Sequence, residues 1–349
     1  IGFMYAVFEY RGVPPILTVV AQHHPQPWVP AALDRLGIGY TSDHSGSAEP
    51  ALAALDHALD GGRAVFCTVA RNGLPWRATP GALATEPYGV VVAGRHDGRY
   101  WLDDEAVSPR VVSPAELAAA WSGYKKGRHE RLLLTPAEPT GGPDAAGLAN
   151  AVRAAIATTV AHLTGPVLGN SFDTNFGFSG MARLAEQLRD ERGKLGWTRR
   201  FGAPGHLPAG LRRLYEGLEL ENTAPAATRP LYADFLDEAA GVLGDPRLPE
   251  AAALFRRSGE VWSRLVARVV AVLDDVGPYA ELVERRMFLL LCGGTADDPT
   301  VAELTGQIEQ VGAGRPELSP DQRATLFGEL ADLVESARTT EQSAVALLE

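Results

Sequence analysis

Two neighbouring β-type segments carry the side chains whose types and spacing could support catalysis. Residues 87–94 open with Tyr88 and continue as an apolar run, and residues 100–104 end in the acidic pair Asp103 and Asp104. Enzymes with a cysteine nucleophile can place a base at the start of one strand and a carboxylate on its neighbour, where the carboxylate orients the base. Tyr88 or Gly89 stands where that base is expected. An apolar strand pair joined by a turn is also ordinary core, so a purely structural role stays open.

The segment 165–180 is a second candidate, because it interleaves Asn, Asp and Ser with aromatic residues between two apolar helical stretches. One interpretation is a loop whose polar side chains satisfy helix ends, with Ser179 as an N-cap. The other is a loop that lines a ligand cleft, with Asn170, Asp173 and Asn175 binding substrate. The sequence leaves both interpretations open.

Neither cysteine stands in a pattern typical of a reactive thiol. Cys67 and Cys292 lie in or directly after apolar runs, and free cysteine is among the most buried residue types, so we expect both in the core. Two cysteines without a Cys-x-x-Cys pattern exclude a disulfide framework and fit a reducing cytoplasm. The adjacent His23 and His24 lack the spacing of metal ligands and are expected in a solvated loop. We find no glycine-rich nucleotide motif, and we predict neither a metal nor a cofactor.

Residues 125–131 form a locally basic stretch in a chain of net charge −11. A solvated surface is one interpretation, and contact with an anionic partner such as the phosphopantetheine arm of an acyl carrier protein is the other. The acidic balance argues against a nucleic-acid partner, which would need clustered Lys and Arg. No apolar run approaches the roughly 20 residues of a membrane-spanning helix.

The elements that must position these residues fall into two predicted domains. Residues 1–135 predict a mixed α/β domain, in which the Asp97–Gly98 pair favours a tight hairpin. Ser113 followed by Glu116 predicts a helix start with a capping box. The opening residues lack an initiator Met and a helix cap, so we expect them to continue an element that begins upstream.

The second domain is predicted to be all helical. Residues 136–147 are rich in Pro and Gly and form the predicted linker, and residues 148–349 predict a string of amphipathic helices typical of a bundle. Helical halves of this kind often form homodimers, but no heptad run specifies a dimer here.

Two sets of residues resemble a known family. The opening Gly2–Tyr5, the strand 87–94 and Asp104 resemble the N-terminal domain of the butirosin-biosynthesis protein H family. Three further stretches resemble the helical domain of unknown function that accompanies it, namely 158–163, 175–181 and 229–240.

This resemblance implies an α+β chain with a papain-like N-terminal domain and a helical C-terminal domain. It also implies an acyltransferase or amide-handling enzyme of cysteine-peptidase ancestry, acting on a carrier-protein thioester in bacterial, often actinobacterial, natural-product biosynthesis. The family's nucleophilic cysteine would lie before Ile1, its histidine would align with Tyr88 and its aspartate with Asp104. Tyr232, within the stretch 229–240, is expected to bind substrate.

A different class of function follows from Tyr88 itself. A phenol with a pKa near 10 is a poor base at neutral pH. The second hypothesis is therefore a catalytically inactive relative that binds a small metabolite or a carrier protein.

Overall fold

The computed structural model is a mixed α+β structure with two sheets and a helical C-terminal region. It describes residues 1–22, 27–77, 87–104, 108–135, 143–169, 174–221, 225–314 and 318–349. The strands in these ranges are β1 (Met4–Phe8), β2 (Ile16–Val20), β3 (Tyr40–Asp43), β4 (Val65–Ala70), β5 (Pro87–His96), β6 (Arg99–Asp103), β7 (Arg110–Val112), β8 (Arg131–Leu134) and β9 (Thr174–Phe176).

The helices account for most of the second half of the chain. They are α1 (Trp28–Leu36), α2 (Ala48–Asp60), α3 (Pro114–Gly123), α4 (Ala145–Thr164), α5 (Gly177–Arg189), α6 (Trp197–Arg200), α7 (His206–Tyr215), α8 (Arg229–Leu243), α9 (Arg247–Leu273), α10 (Tyr279–Leu291), α11 (Pro299–Gly312) and α12 (Pro320–Leu348). Within the described part of the chain, none of them combines the length and the apolar character that crossing a membrane requires.

The chain divides into two compact units that are interleaved along the sequence. The first comprises Ile1–Leu36, Gly142–Ala280 and Glu309–Glu349, and the second comprises Gly37–Gly141 and Glu281–Ile308. This division differs from the linear domains predicted as residues 1–135 and 148–349. The first unit draws in both ends of the chain, because a strand and a helix from distant segments complete its sheet and its core.

The first unit holds a three-stranded antiparallel sheet of order β2-β1-β9. Strand β9 comes from the part of the chain predicted to be wholly helical, and it pairs Asn175 with Tyr5 of β1. Helix α5 begins directly after it at Gly177, whose φ of +55° lies in the left-handed region. A β-carbon there would stand 2.4 Å from the carbonyl oxygen of Leu163, so the sharp passage from strand to helix requires glycine.

The core of the first unit surrounds a buried ion pair between α8 and α12. Arg229 and Glu341 are both fully buried and meet through two parallel hydrogen bonds, Nε to Oε1 at 2.8 Å and Nη2 to Oε2 at 2.9 Å. Ser258 and Trp262 of α9 donate to the same carboxylate at 2.6 and 3.1 Å. These donors satisfy a charge that would otherwise be costly to bury.

The second unit is built on a six-stranded antiparallel sheet of order β3-β8-β4-β5-β6-β7. Strand β4 alternates fully buried Val65, Cys67 and Val69 with half-buried residues, as expected of a strand that presents one face to the core. Leu55 of α2 and Trp121 of α3 complete the same core. The prediction that Cys67 is a buried core residue is confirmed.

Two local predictions in this unit are also confirmed. The β5–β6 hairpin turns at Asp97 and Gly98, whose φ values of 49° and 71° are the left-handed pair that such a turn needs. Helix α3 begins with a complete capping box. Ser113 Oγ accepts from the Glu116 amide at 3.2 Å, and Glu116 Oε2 accepts from the Ser113 amide at 2.6 Å.

Candidate functional site

The antiparallel pairing of β5 with β6 brings the two predicted catalytic residues together in the second unit. Val91 stands opposite Asp103, so the start of β5 lies beside the residue that follows β6. The Tyr88 hydroxyl donates to the main-chain carbonyl of Asp104 at 3.1 Å. The phenol therefore reaches the backbone of Asp104 and is not oriented by its carboxylate.

The carboxylate of Asp104 is enclosed by residues that the sequence did not single out. Its side chain is fully buried, and its Oδ2 accepts from Trp76 Nε1 at 2.5 Å and from Arg77 Nε at 3.1 Å. Arg77 also donates through Nη2 to the main-chain carbonyl of Asp104 at 2.6 Å. The other oxygen, Oδ1, is buried and has no hydrogen-bond partner among the described residues.

Three arginines lie against the aromatic rings beside this carboxylate. The guanidinium carbons of Arg77 and Arg71 lie 5.0 and 6.0 Å from the centre of the Tyr88 ring, and that of Arg110 lies 5.5 Å from the centre of the Trp76 ring. These are distances at which a cation is attracted to an aromatic face. We call Trp76, Arg77, Tyr88, Asp104 and Arg110 the Asp104 cluster.

Arg110 is the most enclosed cation of the Asp104 cluster, with only 8% of its surface exposed. Its Nη2 donates to the main-chain carbonyls of Leu290 and Leu291, which hold the guanidinium at the end of α10. Burial lowers the pKa of Arg110, and the neighbouring charge of Asp104 acts in the opposite direction. Its Nε is a second buried polar atom without a partner in the described part of the chain.

The expectation for Cys292 is wrong, because its side chain is exposed. The apolar run before it belongs to α10, which ends at Leu291 and leaves Cys292 at the start of a turn rather than inside the packed helix. Cys67, by contrast, is fully buried, and burial raises the pKa of its thiol. The two cysteines thus occupy opposite environments that their similar sequence contexts did not distinguish.

The predicted substrate-binding residues that the structure describes belong to the first unit. Asn175 lies in β9, and its Nδ2 is buried without an acceptor among described atoms. Tyr232 is buried on α8, and this burial raises the pKa of its hydroxyl to about 12, with the Thr159 hydroxyl acting in the opposite direction. Asn170 and Asp173 lie outside the described residues. Each unit therefore holds part of the predicted set.

The predicted cap at Ser179 is not formed. The N-cap position is held by Phe176, three residues earlier, and the Ser179 hydroxyl donates to the Phe176 carbonyl at 2.6 Å. The pairing of β9 with β1 sets this earlier start, since the chain passes from strand to helix at Gly177 without a loop.

Two residues of the basic stretch 125–131 are buried and make structural contacts. Arg131 is largely buried, pairs with Asp43 and donates to Ser45 Oγ at 2.9 Å. His129 is also buried and bonds to the main-chain carbonyl of Ser45 at 3.0 Å through Nδ1. Lys125, Lys126 and Arg128 are exposed, so the surface interpretation stays open for these residues. The adjacent His23 and His24 lie outside the described residues.

The chemistry available to the Asp104 cluster is recognition by fixed charges and hydrogen bonds. In the residues that the structure describes, no group of three or more His, Cys, Asp or Glu side chains is placed to hold a metal ion. The carboxylate pairs with Arg77, and the phenol donates to a main-chain carbonyl.

Residues 128–283 match the model of a family described as a domain of unknown function, DUF4872. The matched region covers less than half of the chain; it includes Asn175 and Tyr232 but neither Tyr88 nor Asp104. No curated protein matches the chain.

Proposed function

We propose that the protein binds a small polar metabolite, or the prosthetic arm of a carrier protein, at the Asp104 cluster. The observation that carries this proposal is Oδ1 of Asp104, a buried carboxylate oxygen without a partner in the described chain. Buried polar atoms are almost always hydrogen-bonded, and one that has no partner among the described residues can accept a hydrogen bond from a ligand.

The chemistry of the cluster narrows the ligand class. Asp104 Oδ1 is an acceptor and Arg110 Nε is a donor, and both are buried and unpaired among the residues described. An amide presents an N–H to the first and a carbonyl to the second, so it complements both atoms. The surplus of arginine over carboxylate also favours a ligand that carries an anionic group. Phosphopantetheine combines two amides with a phosphate, and we choose it as the probe.

Titration calorimetry with 4′-phosphopantetheine tests the proposal on the whole chain. We expect binding, and we expect Asp104→Asn to weaken it by roughly tenfold or more, since a hydrogen bond to a charged group contributes about 1.5–3 kcal/mol. Asp103→Asn is the matched control, because the neighbouring carboxylate is exposed and its loss should leave the affinity unchanged. Equal binding by the Asp104 and Asp103 variants, with both folded, would reject this site.

A comparison of phosphopantetheine with pantetheine, which lacks the phosphate, separates recognition of the amides from recognition of the phosphate. If the arginines bind the phosphate, the dephosphorylated compound should bind more weakly, and raising the salt concentration should reduce the difference between the two compounds. Equal affinities for the two compounds would show that the arginines do not bind the phosphate.

Acyl transfer by a protein of papain-like ancestry is the second candidate function. It is favoured by the position of Tyr88 beside Asp104 on neighbouring strands, the arrangement that the resemblance to the butirosin H family implies. Its test is intact-protein mass spectrometry after incubation with an acyl thioester of pantetheine. A stable mass increase equal to the acyl group would support transfer through a covalent intermediate. Binding of phosphopantetheine without any such increase would leave the binding function alone.

A further inference from the structure

A serine and a histidine of the second unit are in contact at the end of α3. Ser122 lies in the last turn of this helix and is exposed, whereas His129, seven positions later, is buried. The hydroxyl oxygen of Ser122 and Nε2 of His129 are 3.0 Å apart. A hydroxyl within hydrogen-bond distance of an imidazole nitrogen is the arrangement in which histidine activates serine as a nucleophile.

The second ring nitrogen of His129 determines the direction of proton transfer. Nδ1 lies 3.0 Å from the main-chain carbonyl oxygen of Ser45. Because a carbonyl can only accept a hydrogen bond, Nδ1 carries the hydrogen, and Nε2 of the neutral ring is an acceptor for the Ser122 hydroxyl. His129 is therefore placed as a general base for Ser122, and the Ser45 carbonyl orients the ring as the third member of the set.

The surrounding chain holds the imidazole and its carbonyl partner in place. The Trp121 ring meets the His129 ring edge-on, with 5.8 Å between the ring centres. Ser45 donates its amide to the Arg128 carbonyl at 2.9 Å, and its hydroxyl accepts from Arg131 at 2.9 Å. Both partners of the Nδ1 hydrogen bond are thus fixed, so the ring needs little reorientation during proton transfer.

The backbone that carries the histidine is strained. Arg128 and His129 have φ values of 45° and 54°, in the left-handed region that residues other than glycine seldom adopt. Consecutive residues of this kind persist only where the surrounding contacts impose them, and such strain is concentrated at functional sites. The position of His129 opposite Ser122 is therefore imposed by the fold of the second unit.

The segment that joins the two residues indicates the charge of a substrate. Lys125, Lys126 and Arg128 lie on this segment, and all three are exposed, in a chain whose net charge is −11. A local concentration of cations attracts anionic molecules in preference to neutral ones. An ester that carries an anionic group is therefore the favoured acyl donor for the exposed hydroxyl.

We propose that Ser122 and His129 hydrolyse carboxylic esters that carry an anionic group, through an acyl-serine intermediate. The Ser122 oxygen attacks the carbonyl carbon of the ester while Nε2 of His129 takes the hydroxyl proton. The bond to the alcohol oxygen breaks, and the imidazolium gives its proton to that oxygen. Water then attacks the acyl-serine with His129 again as the base, which releases the acid and restores Ser122.

This proposal does not depend on the ligand proposed for Asp104, because it uses none of the residues of the Asp104 cluster. The experiment compares two aryl esters that differ only in a sulfonate, 2-nitrophenyl acetate and 4-acetoxy-3-nitrobenzenesulfonate. Release of the coloured nitrophenol is followed with the native chain and its variants. Each rate is divided by the rate of the same ester with free imidazole, which removes the intrinsic reactivity of the ester.

The decisive variant is Ser122→Ala, and Ser42→Ala is its matched control. Ser42 is also an exposed serine of the second unit, but its hydroxyl contacts Glu130 and not a histidine. We expect Ser122→Ala to reduce the normalised rate at least tenfold, because a positioned general base contributes about 10²–10⁴-fold. Ser42→Ala should retain the native rate. His129→Gln should lose activity although the Ser122 hydroxyl remains.

Two further measurements test the nucleophile and the charge of the substrate. Phenylmethanesulfonyl fluoride, which forms a stable adduct with activated serines, should modify Ser122 of the native chain, and peptide mapping locates the adduct. The native chain should favour the sulfonated ester by about two- to fivefold, the effect expected of exposed charges, and added salt should reduce this preference.

Three results would overturn the proposed activity. They are an unchanged rate in folded Ser122→Ala, an unchanged rate in folded His129→Gln, and the absence of an adduct at Ser122. A preference for the uncharged ester would overturn the substrate class. Because Ser122 is exposed, its replacement decides the question even if the His129 variant does not fold. A failure of phosphopantetheine to bind at Asp104 would leave these results unchanged.

Discussion

Trp76 donates its indole N–H to Asp104 at 2.5 Å, and it does so to the oxygen that Arg77 also reaches. Two donors on one oxygen leave the other without a partner in the described chain, although the whole carboxylate is buried. The asymmetry of this contact is what distinguishes the Asp104 cluster from the fully satisfied ion pair of Arg229 and Glu341.

Replacing Trp76 by phenylalanine should destabilise the second unit. Trp76→Phe removes the donor and keeps most of the buried ring, and the lost hydrogen bond to a charged group is expected to cost about 1.5–3 kcal/mol. Urea unfolding followed by far-UV circular dichroism measures the change. Trp101→Phe is the control, since Trp101 is exposed on the same sheet and should change stability by less than about 0.5 kcal/mol. Equal losses in the two variants would contradict the role given to the indole N–H.

Glu341→Gln should destabilise the protein far more than Glu329→Gln, which makes the same change earlier in α12. Breaking the buried pair leaves Arg229 without its counter-charge, and such a loss costs about 3–5 kcal/mol. Glu329→Gln breaks the exposed pair with Arg268, which joins α12 to α9, and should cost less than about 1 kcal/mol. Thermal unfolding of both variants compares the two effects, and a similar loss of stability in each would refute the argument from burial.

Gly177→Ala should destabilise the junction of β9 with α5. The added β-carbon would meet the carbonyls of Leu163 and His162 at 2.4 and 2.5 Å, and alanine resists the left-handed φ of this position. Gly241 is exposed on α8 with open space around it, so Gly241→Ala should instead stabilise the fold by about 0.5–1 kcal/mol. Differential scanning calorimetry measures both effects. The unfolding midpoint should fall for Gly177→Ala and rise for Gly241→Ala, and shifts in the same direction would contradict this explanation.

The capping box of α3 should add a pH-dependent contribution to stability. Hydrogen bonds from Ser113 lower the pKa of the Glu116 carboxyl below its usual value. Because the folded pKa is the lower one, this contribution is present above the unfolded pKa and is lost as the pH falls through the folded value. Glu116→Gln retains an acceptor but cannot titrate. The difference in unfolding free energy between native and variant chains should therefore shrink from pH 7 towards pH 3, and a difference that is constant over this range would contradict the prediction.

Local contacts were the part of the fold that the sequence could predict. The Asp97–Gly98 turn and the Ser113 box each involve residues within a few positions, so residue type and spacing were sufficient. Strand β9 could not be predicted in this way, because three residues become a strand only by pairing with β1 more than 160 positions away. The same dependence on distant segments explains why the interleaved division into two units could not be predicted.

The candidate site was predicted in part for the same reason. The hairpin places Tyr88 beside Asp104, and that proximity follows from adjacent strands. Trp76 and Arg77 became visible only in the structure, since they reach Asp104 from a turn 28 and 27 positions earlier. Cys292 was misjudged because an apolar run shows that a helix is buried on one side but not where the helix ends.

The pairing of β1 with β9 has a consequence for how the chain is made. A ribosome releases β1 and β2 long before residues 174–176 exist, and Arg229 emerges more than 100 residues before Glu341. The first unit therefore cannot complete its sheet until β9 has been synthesised, and it cannot neutralise its buried arginine until α12 has followed. Until β9 is made, the unfinished edge of β1 is available to any other strand, so nascent chains of this protein are expected to need protection during translation.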